Sequence, residues 1–311
     1  MTFGDKVREL MAAQGVSGLR ALAARVPVDP GHLSRVLNGT KPASLELARR
    51  LDDELSADGA LVALVDARLA QADRTPRRVD TAALDSVASL LASTRRLEDV
   101  TSAATVLPTV REYLAMVGRF AEEARAAVRP TAVGLTSELT QYAGWLHVPM
   151  RRWSAAERLL DRATVLGMEA GDPQRTTTAL SFAAYTAMRQ GNIRRAAALS
   201  EAARRDTNLH PGWRTYVTYQ AAEILAGDDK PAAYRLLAEA EAMVDRIDPA
   251  ALTEHTYWYV PAFFRGTHAF VLDKLGERER ARELMAQSLE ELPAEWRSSQ
   301  WAERRRRFLG V

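Results

Sequence analysis

The chain contains no cysteine, which removes disulfides, thiolate metal centres and thiol catalysis together. No uninterrupted apolar stretch approaches the length of a membrane span, and the first residues, MTFGDKVREL, lack the apolar core of a signal peptide. A cytoplasmic protein with no membrane partner is expected. Lysine is scarce, standing only at 6, 41, 230 and 274, and asparagine only at 38, 192 and 208. Catalytic signatures are missing as well: there is no Walker motif, dinucleotide glycine pattern, GxSxG elbow or HExxH. The five histidines (32, 147, 210, 255 and 268) have no metal-ligand spacing. The chain is thus expected to be no enzyme and to need no cofactor or metal.

What is present is a soluble composition, 47% hydrophobic and 26% charged over 311 residues, long enough for two cores. The net charge is only +2, but it is unevenly spread. Residues 1–50 carry eight basic side chains (Lys6, Arg8, Arg20, Arg25, Arg35, Lys41, Arg49, Arg50) against four acidic ones (Asp5, Glu9, Asp29, Glu46), a surplus of +4. Asp52, Asp53, Glu54, Asp58 and Asp66 then turn the chain acidic. A local cationic surface is what contact with phosphates requires.

Helical spacing dominates from the start. Phe3, Val7, Leu10 and Met11 share one face, and Gly15 ends that helix. Leu19, Leu22, Ala23 and Val26 mark a second. Asp29 is placed to cap a third, with Pro30 at its first position and Leu33, Val36 and Leu37 as its buried stripe. Ser44 caps a fourth (Leu47, Leu51, Leu55), and Leu61, Leu64, Val65 and Leu69 make a fifth. Five short helices with a tight turn between the second and third form a helix-turn-helix domain.

The run LRALAARVPVDPGHLSRVLNGTKPASLELARRL resembles the helix-turn-helix of phage repressors and XRE-type regulators over residues 3–69. The resemblance is carried by Leu22-Ala23, Val28-Asp29-Pro30, His32-Leu33-Ser34-Arg35, Asn38-Gly39 and Pro42-Ala43-Ser44. It implies double-stranded DNA as partner, a homodimer, and a third helix entering the major groove. By the resemblance, base-reading positions fall on Pro30, Gly31 and Arg35. Only Arg35 of these can pair with a guanine edge. His32 and Ser34 reach a base or a phosphate, while Thr40 and Lys41 sit over the backbone. The family's Ser-Gln at the start of the second helix is replaced by Ser17-Gly18-Leu19-Arg20, which gives the phosphate contact to Arg20. The same side chains also suit an ordinary exposed helix face.

Residues 71–80 (QADRTPRRVD) read as a linker between a domain at 1–70 and another at 81–311. Leu84, Val87, Leu90, Leu91 and Leu97 mark one helix. A second, opening near Pro108, carries a seam of Leu107, Val110, Leu114, Val117, Ala121, Ala124 and Val128. From about residue 134 the punctuation alternates. Breaks within helical pairs fall near Pro149, Gly191, Gly227 and Gly276, and breaks between pairs at Gly171-Asp172-Pro173, His210-Pro211-Gly212 and Asp248-Pro249. A small residue opens each second helix: Ala156, Ala197, Ala233 and Ala281.

This is similar to the tetratricopeptide pattern, and the fold expected is all-α, a five-helix head followed by an α-solenoid. The resemblance implies a groove lined by the first helix of each pair. Tyr142, Trp145, Tyr185, Arg189, Tyr216, Tyr219, Gln220, Tyr257, Tyr259, Arg265 and His268 are its candidate lining, for a peptide, small molecule or protein. Most of these aromatics serve equally well as packing between pairs. With three asparagines the chain has no ladder of amides for a peptide backbone. The Arg304–Arg307 run is expected in solvent beside a tryptophan-bearing terminal helix. The overall expectation is a DNA-binding regulator; the alternative is a non-catalytic scaffold built on the repeats.

Overall fold

The computed structural model describes residues 2–41, 43–206, 208–248, 252 and 256–310. The expectations placed on Pro42, Pro249 and His255 lie outside the described residues. Every regular element among the described residues is helical. Two compact units form, one from residues 1–93 with 115–135, the other from 94–114 with 136–311.

The first unit opens with α1 (Phe3–Ala13), α2 (Leu19–Arg25), α3 (Pro30–Leu37), α4 (Leu45–Glu54) and α5 (Ala60–Arg74). Local chemistry places these boundaries. Thr2 and Asp5 form a reciprocal capping box on α1. The Asp29 carboxylate accepts from the His32 N–H at 2.7 Å, and the Ser44 hydroxyl from the Leu47 N–H at 3.1 Å. Val7, Leu22, Leu33, Leu51, Leu55 and Leu61 are fully buried in one core. Gly4 is where α1 meets the end of α3: a Cβ there would stand 1.9 Å from the Leu37 carbonyl oxygen, so no larger residue fits.

α5 runs on to Arg74, and a 3-10 turn over Pro76–Arg78 follows, with Val79 buried. Helix α6 (Thr81–Val100) buries Leu84, Val87 and Leu91, but Leu97 is exposed, so the expected stripe ends before it. Helix α7 (Ala103–Glu123) begins five residues ahead of Pro108. Proline is tolerated there because it lies near the first turns with its ring exposed, where the missing N–H deletes a single carbonyl's partner. Leu107, Val110, Val117 and Ala121 are buried, while Ala124 and Val128 fall beyond the helix end.

The second unit is built on antiparallel pairs: α8 (Arg129–His147), which belongs to it from Thr136 on, with α9 (Trp153–Glu169), α10 (Pro173–Arg189) with α11 (Ile193–Ala203), α12 (Pro211–Leu225) with α13 (Lys230–Val244), and α14 (Pro261–Leu275) with α15 (Arg278–Glu291). Short α16 (Ala294–Arg297) and α17 (Glu303–Leu309) close the chain. Asp172 and His210 cap the helices that begin at Pro173 and Pro211, as the alternating punctuation suggests. Small residues let the pairs nest. A Cβ on Gly144 would meet Leu160, and one on Gly167 would meet Thr176. Ala156, Ala233 and Ala281 are fully buried as expected, but in α11 Ala196 rather than Ala197 takes that place.

Candidate nucleic-acid face and candidate ligand cavity

Helix α3 divides cleanly in two. Leu33, Val36 and Leu37 anchor it in the core, while Pro30, Gly31 and Arg35 are exposed and His32 and Ser34 half-buried. Among the described residues no hydrogen bond or ion pair engages the Arg35 guanidinium, whereas its carbonyl is heavily used. That oxygen accepts from the Thr40 N–H (2.9 Å), the Thr40 hydroxyl (2.9 Å) and the Lys41 N–H (3.1 Å). The loop after α3 is thereby folded back over the helix end, with the Thr40 hydroxyl proton already spent there. Arg8 performs the matching task from α1, donating to the Leu37 carbonyl at 2.9 Å and the Asn38 side-chain oxygen at 2.8 Å. Sequence reading counted Arg8 only as charge. Arg20, on the first turn of α2, and Lys41 are exposed. Partial burial, then the Lys41 and Arg35 charges, lower the His32 pKa, so its imidazole is neutral near pH 7.

The second unit contains a cavity of about 430 Å³. Its wall is built from the first helices of the pairs at three- and four-residue steps: Glu138, Gln141, Tyr142 and Trp145 on α8; Arg175, Thr178, Phe182 and Tyr185 on α10; Trp213, Tyr216, Gln220 and Glu223 on α12; Phe263, Thr267 and Phe270 on α14. The last turns of α6 add Arg95, Glu98 and Asp99, residues 257–259 add three aromatic rings, and the chain end adds Trp301, Arg304 and Arg305. Edge-to-face contacts hold the rings, with Trp145–Phe182 centroids 5.4 Å apart and Trp213–Tyr259 5.2 Å apart.

Of the side chains expected in a groove, Tyr142, Trp145, Tyr185, Tyr216, Gln220, Tyr257 and Tyr259 line the cavity. Four do not. Tyr219 is buried and stacks on Phe264 at 5.9 Å, and His268 packs against Tyr219, its Nδ1 3.5 Å from the phenol oxygen. Arg265 pairs with Glu291, and Arg189 turns outward, bonding the Tyr185 hydroxyl at 2.7 Å. The lining residues that sequence reading missed, Phe182, Trp213 and Glu223 among them, were findable. They continue the same helical stripes one turn on from residues already named.

The cavity wall is rich in buried charge, and most of it is matched. Glu138 takes Arg95 at 2.9 Å and Arg175 at 3.0 Å, and Arg175 also holds Asp172 at 2.6 Å. Glu223 pairs with Arg304 and, at 3.7 Å, with Lys274. Asp99 accepts from the Tyr257 hydroxyl at 2.6 Å and the Trp301 indole at 2.9 Å. The Arg304–Arg307 run is therefore not a solvated strip. Arg305 is buried, donating to the Ser288 hydroxyl and the Phe263 carbonyl, and its burial, with the nearby Arg304 charge, brings its pKa down to about 10. Only Arg307 of the four is exposed.

Glu98 stands apart. Oε2 accepts from the Tyr142 hydroxyl at 3.1 Å, while Oε1 is buried without a hydrogen-bond partner. Burial, then the neighbouring Asp99 charge, push its pKa up to about 7, against the opposing pull of Tyr142, Trp145 and Arg95.

The described residues hold no cluster fit for a metal ion and no helix long and apolar enough to cross a membrane. The fold defines a class, an all-α protein with a helix-turn-helix unit and a unit of stacked helical pairs. The chain matches no protein-family profile and no curated protein. Among solved structures it is similar to the crystal structure of Bacillus thuringiensis PlcR in complex with the peptide PapR7 and DNA. The identity is 10%, coverage is 100% of this chain and 99% of that one, and the TM-score is 0.47. A likeness that distant assigns no role to any residue here.

Proposed function

We propose that this protein is a sequence-specific DNA-binding transcriptional regulator of XRE type. It acts as a homodimer, and its tetratricopeptide-like unit binds a peptide, small-molecule or protein signal. The observation that carries the reading is the outward face of α3, a capped and firmly anchored helix that leaves the Arg35 guanidinium exposed and unengaged. A buried stripe plus a free arginine on the second helix of a helix-turn-helix is the arrangement a major groove accepts. Arg35 reads guanine, His32 and Ser34 contact a base or a phosphate, the exposed Pro30 and Gly31 let the backbone approach, and Arg20 and Lys41 hold the phosphates, with Thr40 fixing the loop that carries Lys41.

The test is a salt titration with duplexes selected from a random pool and with scrambled controls. The wild-type chain prefers the selected duplex, and Arg35→Ala erodes that preference by roughly 1–3 kcal/mol at the guanine position. Equal, weak binding to both duplexes by the wild type would leave a scaffold built on the helical pairs as the function.

A further inference from the structure

The charges around the cavity do not balance locally, and the mismatch has a sign. Each carboxylate in the wall except Glu98 has a donor on both of its oxygens. Glu98 has the Tyr142 phenol on Oε2 and the Trp145 indole beside its carboxylate, but no hydrogen-bond partner on Oε1. The cation without a carboxylate partner, Arg305, is in a different position, because Ser288, Phe263 and Thr267 oxygens take its donors and the Phe263, Phe270 and Trp301 rings cover it. A ligand anion would thus find a cation already satisfied and an acid that repels it. A ligand N–H donor finds an orphaned acceptor whose desolvation has already been borne by the fold. Ring faces beside the carboxylate favour a positive charge further.

We propose that this cavity takes a small organic ammonium ion, its protonated amine seated against Glu98 and its apolar body lying on the Trp145, Phe182 and Trp213 rings. The volume of about 430 Å³ suits an organic molecule of modest size. This rests on the reading of the second unit as a ligand-binding unit and gives that ligand a chemistry. An ammonium group can come from a free amine or from the N-terminus of a short hydrophobic peptide.

Calorimetry on the full-length chain with 2-phenylethylamine, its N-acetyl derivative and 3-phenylpropionate tests the proposal, and leucyl-phenylalanine amide separates the two sources of the amine. The free amine is expected to bind roughly tenfold or more tightly than the acetylated and carboxylate probes. Glu98→Gln abolishes that preference while keeping the weak affinity for the acetylated probe, which shows that the variant is folded. Arg35→Ala leaves the preference intact. A preference that survives Glu98→Gln, tighter binding of the carboxylate, or no binding by any probe overturns the proposal. Selective DNA binding is scored separately: its loss with amine preference retained sinks the regulator reading alone, and the reverse sinks only the ammonium site.

Discussion

Glu98 enters the folded state with its carboxyl desolvated, beside Asp99 and facing Tyr142, Trp145 and Arg95, so folding works against its ionisation. Its pKa rises from 4.5 to about 7. Between those values the native chain holds a proton that the unfolded chain has released, and stability from this group therefore falls as pH rises through that window and levels off above it. The upper limit of the effect is on the order of 3 kcal/mol. Tryptophan fluorescence is the natural probe, because all six tryptophans lie between residues 145 and 301, within the second unit. Urea midpoints taken from pH 5 to 8 should decline for the wild type, and Glu98→Gln should flatten the profile and stabilise the chain at pH 8. A parallel profile in the variant would mean that another group drives the slope.

At the scale of elements, α17 is latched rather than laid on the surface. Arg304 reaches Glu223 on α12 and lies over the Phe270 ring at 3.7 Å, while the Arg305 guanidinium occupies the space left by Gly266, where a Cβ would stand 1.5 Å from a guanidinium nitrogen. Breaking such a pair from one side strands a buried charge. Arg304→Met alone should destabilise the second unit by roughly 3 kcal/mol, tempered by Lys274, whereas the double variant Arg304→Met with Glu223→Met should recover most of that loss. Simple additivity in denaturant titrations would show that the two residues do not act as a pair. A second expectation concerns α1. Gly4→Ala forces apart α1 and the end of α3, and a loss of roughly 1–3 kcal/mol with weakened DNA selectivity is expected.

For the whole molecule the question is how many copies grip one site. Two heads meet half-sites about one helical turn, roughly 10 bp, apart. Sedimentation of the full chain with a duplex bearing two inverted half-sites should give two chains per duplex, and deleting one half-site should weaken binding steeply. One chain per duplex at saturation would refute the homodimer. The salt dependence should track the basic side chains of residues 1–50, which hold the local surplus, while Arg304 and Arg305, engaged inside the second unit, should contribute nothing.

The sequence by itself determined the helices, because capping and punctuation are local. Asp29 before Pro30, Ser44 before Leu45, and Asp172 before Pro173 each supply a side-chain acceptor one residue ahead of a helix start, and the structure uses all three. It also brought the α3 face into view, since a buried stripe at helical spacing leaves its complement outside. The cavity was only half legible. Tyr142, Trp145 and Tyr185 line it, yet Tyr219, Arg265 and His268 do not, because one residue along a helix rotates a side chain by about 100° and only the neighbouring helix decides which rotation faces inward. The fate of the Arg304–Arg307 run was beyond local reading altogether. Nothing near it in sequence announces that Glu223, some eighty residues earlier, and the bare surface of Gly266 wait to receive two of its guanidinium groups; only packing across the stacked pairs brings those partners together.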